Sequence, residues 1–112
     1  MKDEIIIISD EELVEPAMKI ILLAGDGRNH IKNALKKAKE GNFEEAEELV
    51  AISRECIRQA HDVQTTLISK EASGKVRIQP TLIFNHAQDT LMTIISEITL
   101  SIEMIDILRM IR

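Results

Sequence analysis

Two glycine-centred breaks, Lys39-Glu40-Gly41 and Ser73-Gly74-Lys75, cut this chain into three long stretches. In the first two, apolar residues recur at steps of three and four, the period that lines one face of a helix. The first runs through Leu13, Ala17, Ile20, Ala24, Ile31, Leu35 and Ala38, the second through Phe43, Ala46, Leu49, Cys56, Ala60, Gln64 and Leu67. The third runs from Pro80 to the C-terminus. Both connections are short, so consecutive helices must be antiparallel neighbours. The expected fold class is therefore all-α, an antiparallel three-helix bundle running up-down-up, with residues 1–112 as a single domain. With no Trp, no Tyr and two Phe, the core has to be built from Ile, Leu, Val, Ala and Met, which suits helix packing better than a sandwich.

The helix ends can be read in turn. Ser9-Asp10-Glu11-Glu12 has the form of a capping box, with Ser9 as N-cap and Glu12 reaching back. Pro16 removes one helical bond and crowds the preceding turn, which predicts a kink or a helix effectively starting at Glu15. Asn42 with Glu45 predicts a second capping box, and Pro80 suits the first position of the third helix. Residues 1–8, a charged start followed by Ile5 to Ile8, are expected to form an irregular arm, since periodicity cannot be read in so short a run. Gly25-Asp26-Gly27-Arg28 interrupts the first helix without the strand before it or the Gly-Lys-Ser/Thr after it that a phosphate loop needs. Close helix packing is the better reading there.

The third helix carries too much apolar surface for one face. Ile94, Ile95, Ile98, Ile102 and Ile105 form one arc, while Leu100, Met104, Ile107, Leu108 and Ile111 form another. Only a strip near Ser96, Thr99, Glu103, Asp106 and Met110 reads as solvent-facing. Leaving the second arc exposed would forgo roughly 1.5–3 kcal/mol per side chain. Self-association through that arc is the expectation.

Function is constrained first by exclusions. A formal charge of −5 argues against nucleic-acid binding, which depends on clustered Lys and Arg. The Ile5–Ile8 run is too short for a signal sequence or a membrane span. Cys56 is the only cysteine, which fits a reducing, cytoplasmic setting; on an apolar stripe it reads as a small hydrophobe rather than a nucleophile. His61 and Asp62 are adjacent and point to different sides, so they give no metal-ligand spacing.

One polar cluster stands out: Phe84-Asn85-His86-Ala87-Gln88-Asp89-Thr90-Leu91-Met92-Thr93. On a helix, His86 is the neighbour of Asp89 and Thr90, with Thr93 and Glu97 continuing the stripe. Spacing alone favours an ordinary exposed histidine. The string His86-Ala87-Gln88-Asp89-x-Leu91-Met92-Thr93, however, resembles the active-site signature of the lactose/cellobiose-type enzyme IIA of the bacterial sugar phosphotransferase system. Gly41-Asn42-Phe43, His61-x-x-Gln64-Thr65 and Ala24-Gly25-Asp26 with Arg28 resemble other parts of that family, which usually has alanine at Gly27 and a second histidine at Thr90.

The resemblance implies a phosphocarrier in which His86 is the nucleophile, becoming a tele-phosphohistidine. Imidazole suits the task, since its ordinary pKa lies near 6.5 and positioning dominates phosphoryl transfer. HPr would be the donor and a cysteine of the cognate IIB component the acceptor, in uptake of a β-disaccharide such as cellobiose, lactose or diacetylchitobiose that this component does not itself touch. Gln88 is the candidate for an orienting role; two residues from His86, it does not share its face and would act indirectly or on another chain. The family assembles as a homotrimer, which implies that Asp89 lies at the axis as one ligand per subunit to a metal ion, with Mg2+ the expected cofactor. Two rivals belong to other classes. A histidine phosphotransfer domain of two-component signalling usually has a lysine three residues after its histidine and then a glycine, where this chain has Asp89 and Thr90. A noncatalytic helical adaptor would leave His86 without chemistry. A dinuclear carboxylate bundle would need a Glu-x-x-His pair, and none occurs.

Overall fold

The computed structural model describes residues 4–79 and 81–112. Three helices of equal length, α1 (Asp10–Lys39), α2 (Phe43–Ala72) and α3 (Leu82–Ile111), run up, down and up. At 30 residues each they are about 45 Å long, and they form a rod of 67 × 22 × 17 Å.

The ends of α1 follow from its sequence. Ser9 Oγ accepts from the Glu12 N–H at 3.2 Å while Glu12 Oε1 accepts from the Ser9 N–H at 3.3 Å, the expected capping box. That box starts the helix at Asp10, ahead of Pro16, so the expected start at Glu15 is corrected. The reciprocal cap and the burial of Leu13 and Ala17 outweigh one lost bond in the second turn. At the other end Gly41, at φ +83°, donates to the Ala38 carbonyl, and Asn42 donates to that of Lys37. These two bonds close a Schellman turn that only a left-handed residue permits.

Asn42 is the N-cap of α2, but its side chain caps no backbone N–H. Its ψ of 74° is not the extended conformation that aims a capping side chain back at the helix, and the expected second box is absent. Glu45 pairs instead with Lys37 at 3.3 Å, tying the start of α2 to the last turns of α1. The third helix is capped by Thr81, whose Oγ1 accepts from the Phe84 N–H at 3.1 Å. The helix-starting role expected of Pro80 lies outside the described residues.

The isoleucine run departs from its reading as an irregular arm. Ile6–Ile8 form a strand, β1, pairing in parallel with β2 (Val76–Ile78), in the register Ile6 to Val76 and Ile8 to Ile78. β-Branched residues favour this geometry, and the partner strand lies too far along the chain for local periodicity to reveal it. The pair closes the end of the bundle where α1 and α3 begin and α2 ends. Within it, Glu71 Oε2 accepts from the Ile78 N–H at 2.9 Å.

α1 is the central element. It packs along both α2 and α3, whereas α2 and α3 meet only sparsely. The core is rich in alanine (Ala17, Ala24, Ala34, Ala38, Ala46, Ala60), which lets the axes approach closely. Gly27 is the tightest point: a Cβ there would stand 3.1 Å from Ile57 Cδ1 and 3.4 Å from the Ser53 carbonyl. Ser53, fully buried, donates its hydroxyl to the Gly27 carbonyl at 2.7 Å. The Gly25–Arg28 segment is thus a packing device and not a phosphate loop. Cys56 is half-buried, and burial pushes its thiol pKa up, away from nucleophilic use.

Candidate functional site

Phe84 and Ala87 are buried and fix the first turns of α3 on the core. His86, between them in sequence, is carried to the outside. Its ring forms no hydrogen bond or ion pair among the described residues, and it lines an open depression of about 440 Å³ with Leu82 and Ile83. Leu82 is 89% exposed, so the histidine stands in a largely apolar surround that is itself uncovered. The other two histidines differ. His30 is half-buried on α1, and His61 Nδ1 lies 3.2 Å from Thr65 Oγ1 on α2.

Asp89 is exposed one turn beyond His86, and Thr90 is half-buried on the next position. Gln88 is half-buried about 200° round the helix from His86, so within one chain the two do not face each other. Glu97, at the far end of the stripe, is engaged by Arg28 of α1 in a two-pronged pair with both bonds at 2.8 Å. The Arg28 guanidinium holds the Glu97 carboxyl below the usual carboxylate range, and Glu97 in turn raises Arg28. Arg28 was legible as part of a motif, but its partner across 69 positions was not. The pair ties α3 to α1, while His86 and Asp89 form no such pair among the described residues.

The described residues of one chain form no metal centre by themselves. Among the described residues no three His, Cys, Asp or Glu side chains converge, and Asp89 stands as a single carboxylate. Any ion at Asp89 would have to be shared with other copies.

The two arcs read on α3 behave differently. Ile94, Ile98 and Ile105 are buried, with Ile95 and Ile102 half-buried. In the second arc Leu100, Met104, Ile107 and Ile111 are exposed, and only Leu108 is half-buried. At 100° per residue, Leu82, His86, Asp89, Thr93, Leu100, Met104, Ile107 and Ile111 fall within about 60° of the wheel. The histidine and the aspartate therefore belong to one uncovered apolar seam. Val14, Met18 and Leu22 on α1, spaced four apart, are also exposed.

The family described as the lactose/cellobiose-specific IIA subunit of the PTS system matches residues 15–109. The lactose-specific EIIA component of Streptococcus mutans is 43% identical over 86 residues, covering 76% of this chain and 81% of that protein. The N,N′-diacetylchitobiose-specific EIIA component of Escherichia coli K12 is 42% identical over 83 residues, 74% of this chain and 71% of that one. Among solved structures, the cellobiose-specific enzyme IIA from Bacillus anthracis superposes with a TM-score of 0.82 at 34% identity, covering 92% of each chain. The IIA(chitobiose)–HPr complex of the E. coli phosphotransferase system gives 0.77 at 36% identity, over 89% of this chain and 96% of that one.

Proposed function

The chain belongs to the lactose/cellobiose-specific IIA family of the phosphotransferase system, and from that premise we propose that His86 is its phosphoryl-carrying residue. A member of this family is a phosphotransferase component: it takes a phosphoryl group and hands it on. The observation that supports His86 is its setting, an exposed and otherwise unbonded imidazole in the second turn of a rigid helix, within an apolar depression.

The proposed cycle has two steps. HPr presents its phosphoryl group, the Nε2 lone pair of His86 bonds to phosphorus, and the bond to the donor breaks. A cysteine thiolate of the cognate IIB component then takes the group, and His86 returns to its free form. The chain positions the ring on a rigid helix; it does little covalent work beyond that. The sugar downstream is a β-disaccharide of the lactose, cellobiose or N,N′-diacetylchitobiose class, in keeping with the relatives' names. The working compartment is the cytoplasm; no helix among the described residues is long and apolar enough to cross a membrane.

The test is direct. Incubated with the general phosphotransferase proteins and a phosphoryl source, the protein should take up one acid-labile phosphate per chain. His86→Ala should abolish uptake while preserving helicity, and His30→Ala and His61→Ala should keep it. Labelling that persists in His86→Ala would overturn the assignment.

The proposal extends to assembly. The uncovered seam on α3 supports a homotrimer closed through that seam, with the three Asp89 carboxylates brought near the axis. Like charges drawn together and partly desolvated repel, so each carboxylate binds a proton or shares a cation. Magnesium suits a few carboxylates plus waters, and Asp89 would be one ligand to it from each subunit. Asp89→Leu should raise the melting temperature in chelator, and wild type should gain from added Mg2+. A lower melting temperature for Asp89→Leu in chelator would refute this role.

A further inference from the structure

The β1–β2 pair has two outer edges, and only one of them is closed. In parallel pairing each residue turns both its backbone groups to the same side, and successive residues alternate. The Ile6 N–H donates to the Lys75 carbonyl at 3.0 Å, so Ile6 and Ile8 face β2 and Ile7 faces away. On β2 the same alternation turns Arg77 toward β1 and Ile78 outward, where Glu71 Oε2 takes the Ile78 N–H. A side chain thus plugs the outer edge of β2. The N–H and C=O of Ile7 have no hydrogen-bond partner among the described residues. Ile5, Ile6 and Ile7 are each more than half exposed, so a β-branched edge lies open at the end of the bundle that carries His86. Such an edge is a template for another extended segment. β1 precedes residues 15–109, over which the family matches, so that match assigns the edge no role.

The surrounding charges decide what can fill the edge. Glu4 stands before β1 and Asp10 and Glu11 after it; all three are exposed, and none is in an ion pair among the described residues. The nearby basic residues, Lys75 and Arg77, lie on the β2 side. A second copy of the chain fits poorly. Two β1 edges meeting antiparallel about Ile7 would bring Glu4 of each copy toward Asp10 of the other, and like charges placed opposite each other destabilise a ladder. The β2 edge of another copy is already plugged by its own glutamate. We propose that the free edge of β1 docks an extended segment of a partner protein, aliphatic at its centre and carrying Lys or Arg at its ends. The segment adds as a third strand. Backbone bonds at Ile7 hold it, its aliphatic side chains cover the exposed isoleucines, and its cations pair with Glu4 and Asp10. Because β2 leads directly into α3, a partner held there is held at the His86 end of the bundle.

The probe is an acetylated and amidated heptapeptide, Lys-Thr-Val-Val-Val-Thr-Lys, added to the full chain, with Glu-Thr-Val-Val-Val-Thr-Glu as its counterpart. In the free protein the Ile7 amide should exchange with solvent faster than those of Ile6 and Ile8, which are bonded to β2. At saturation the basic peptide should slow exchange at Ile7 by about tenfold or more. The acidic peptide should bind about tenfold more weakly, the effect of reversing two cross-strand charge pairs. Ile7→Pro removes the outward N–H without touching a bond to β2, so it should abolish peptide binding while the Ile6 amide stays slow. Glu4→Gln combined with Asp10→Asn should weaken the basic peptide severalfold and leave the acidic one no weaker. Unslowed exchange at Ile7 in millimolar basic peptide, or equal affinity for the two peptides, would overturn the proposal. So would slowing at Ile7 that grows with protein concentration in the absence of peptide, since a second copy would then occupy the edge. If Ile7→Pro also frees the Ile6 amide, the strand pair itself has opened, and the Glu4→Gln/Asp10→Asn variant decides: an unchanged affinity for the basic peptide refutes the pairing.

Discussion

Replacing Ile107 by Glu is the sharpest test of the uncovered seam. In the isolated chain Ile107 is 55% exposed, so a carboxylate there meets water and the fold should tolerate it. Leu100, Met104 and Ile111 on the same seam are 58%, 50% and 74% exposed. Covering the exposed half of such a side chain gains roughly 0.8–1.5 kcal/mol, half the full burial value. Four per chain give roughly 3–6 kcal/mol per copy, against an association cost of the order of 4–15 kcal/mol. The balance is close enough for one change to reverse it. Ile107→Glu forfeits its own share in each copy and adds a desolvated carboxylate costing several kcal/mol, repeated three times around the axis. The expected result is a trimeric wild type and a monomeric, fully helical variant in sedimentation equilibrium at tens of micromolar. Met110→Glu, 84% exposed but on the solvent strip, is the control and should stay trimeric. A monomeric wild type, or a trimeric Ile107→Glu, would refute the reasoning.

Two further outcomes follow from contacts inside the chain. Ser53→Ala removes the buried bond to the Gly27 carbonyl and should cost about 1 kcal/mol, a fall of roughly 3–6 °C in Tm by calorimetry; an unchanged Tm would mean that the bond contributes nothing net. Glu97 is held below its ordinary pKa first by its hydrogen bonds to Arg28, so it stabilises the fold above the unfolded value near 4.3 and ceases to as pH falls through the folded value. Because both side chains are more than a third exposed, the effect should be about 0.5 kcal/mol, seen as a smaller acid sensitivity of Arg28→Met in urea titrations between pH 5 and pH 3; equal sensitivity in both proteins would sink it.

What was legible in the sequence was whatever local chemistry decides. Ser9 and Glu12 announced a helix start, Gly41 its end, and the alternation of buried and exposed positions along α3 followed the wheel. His86 was singled out by its neighbours, and its exposure between Phe84 and Ala87 follows from the same periodicity. What escaped depends on distant partners or on backbone angles. The Ile6–Ile8 strand needed Val76–Ile78, and Glu97 needed Arg28. Asn42 had the right composition for a cap and the wrong ψ. Ser53 has no place in the apolar stripe of the second helix, and only the packing of Gly27 against it gives its hydroxyl a carbonyl to bind. The sparse meeting of α2 and α3, which leaves a cleft of about 690 Å³ bordered by Val50, Arg54, Ile102 and Ile105, could not be inferred from patterns that treat each helix alone.

The parallel clasp between β1 and β2 sets an order in which the chain can come together. α1 and α2 form a local hairpin around Gly41, and its contacts close over short loops. The clasp joins Ile6 to Val76, and α3 docks on α1, its neighbour in space but not in sequence; both steps close loops of some 70 residues. Such contacts pay their chain entropy late, so the α1–α2 hairpin should form before α3 is secured. The element that bears His86 is thus the last of the three helices to arrive and, by the same energetics, the first of them to open. In native-state hydrogen exchange the amides of α3 should exchange through openings of lower free energy than those of α1, with the strand pair lowest of all.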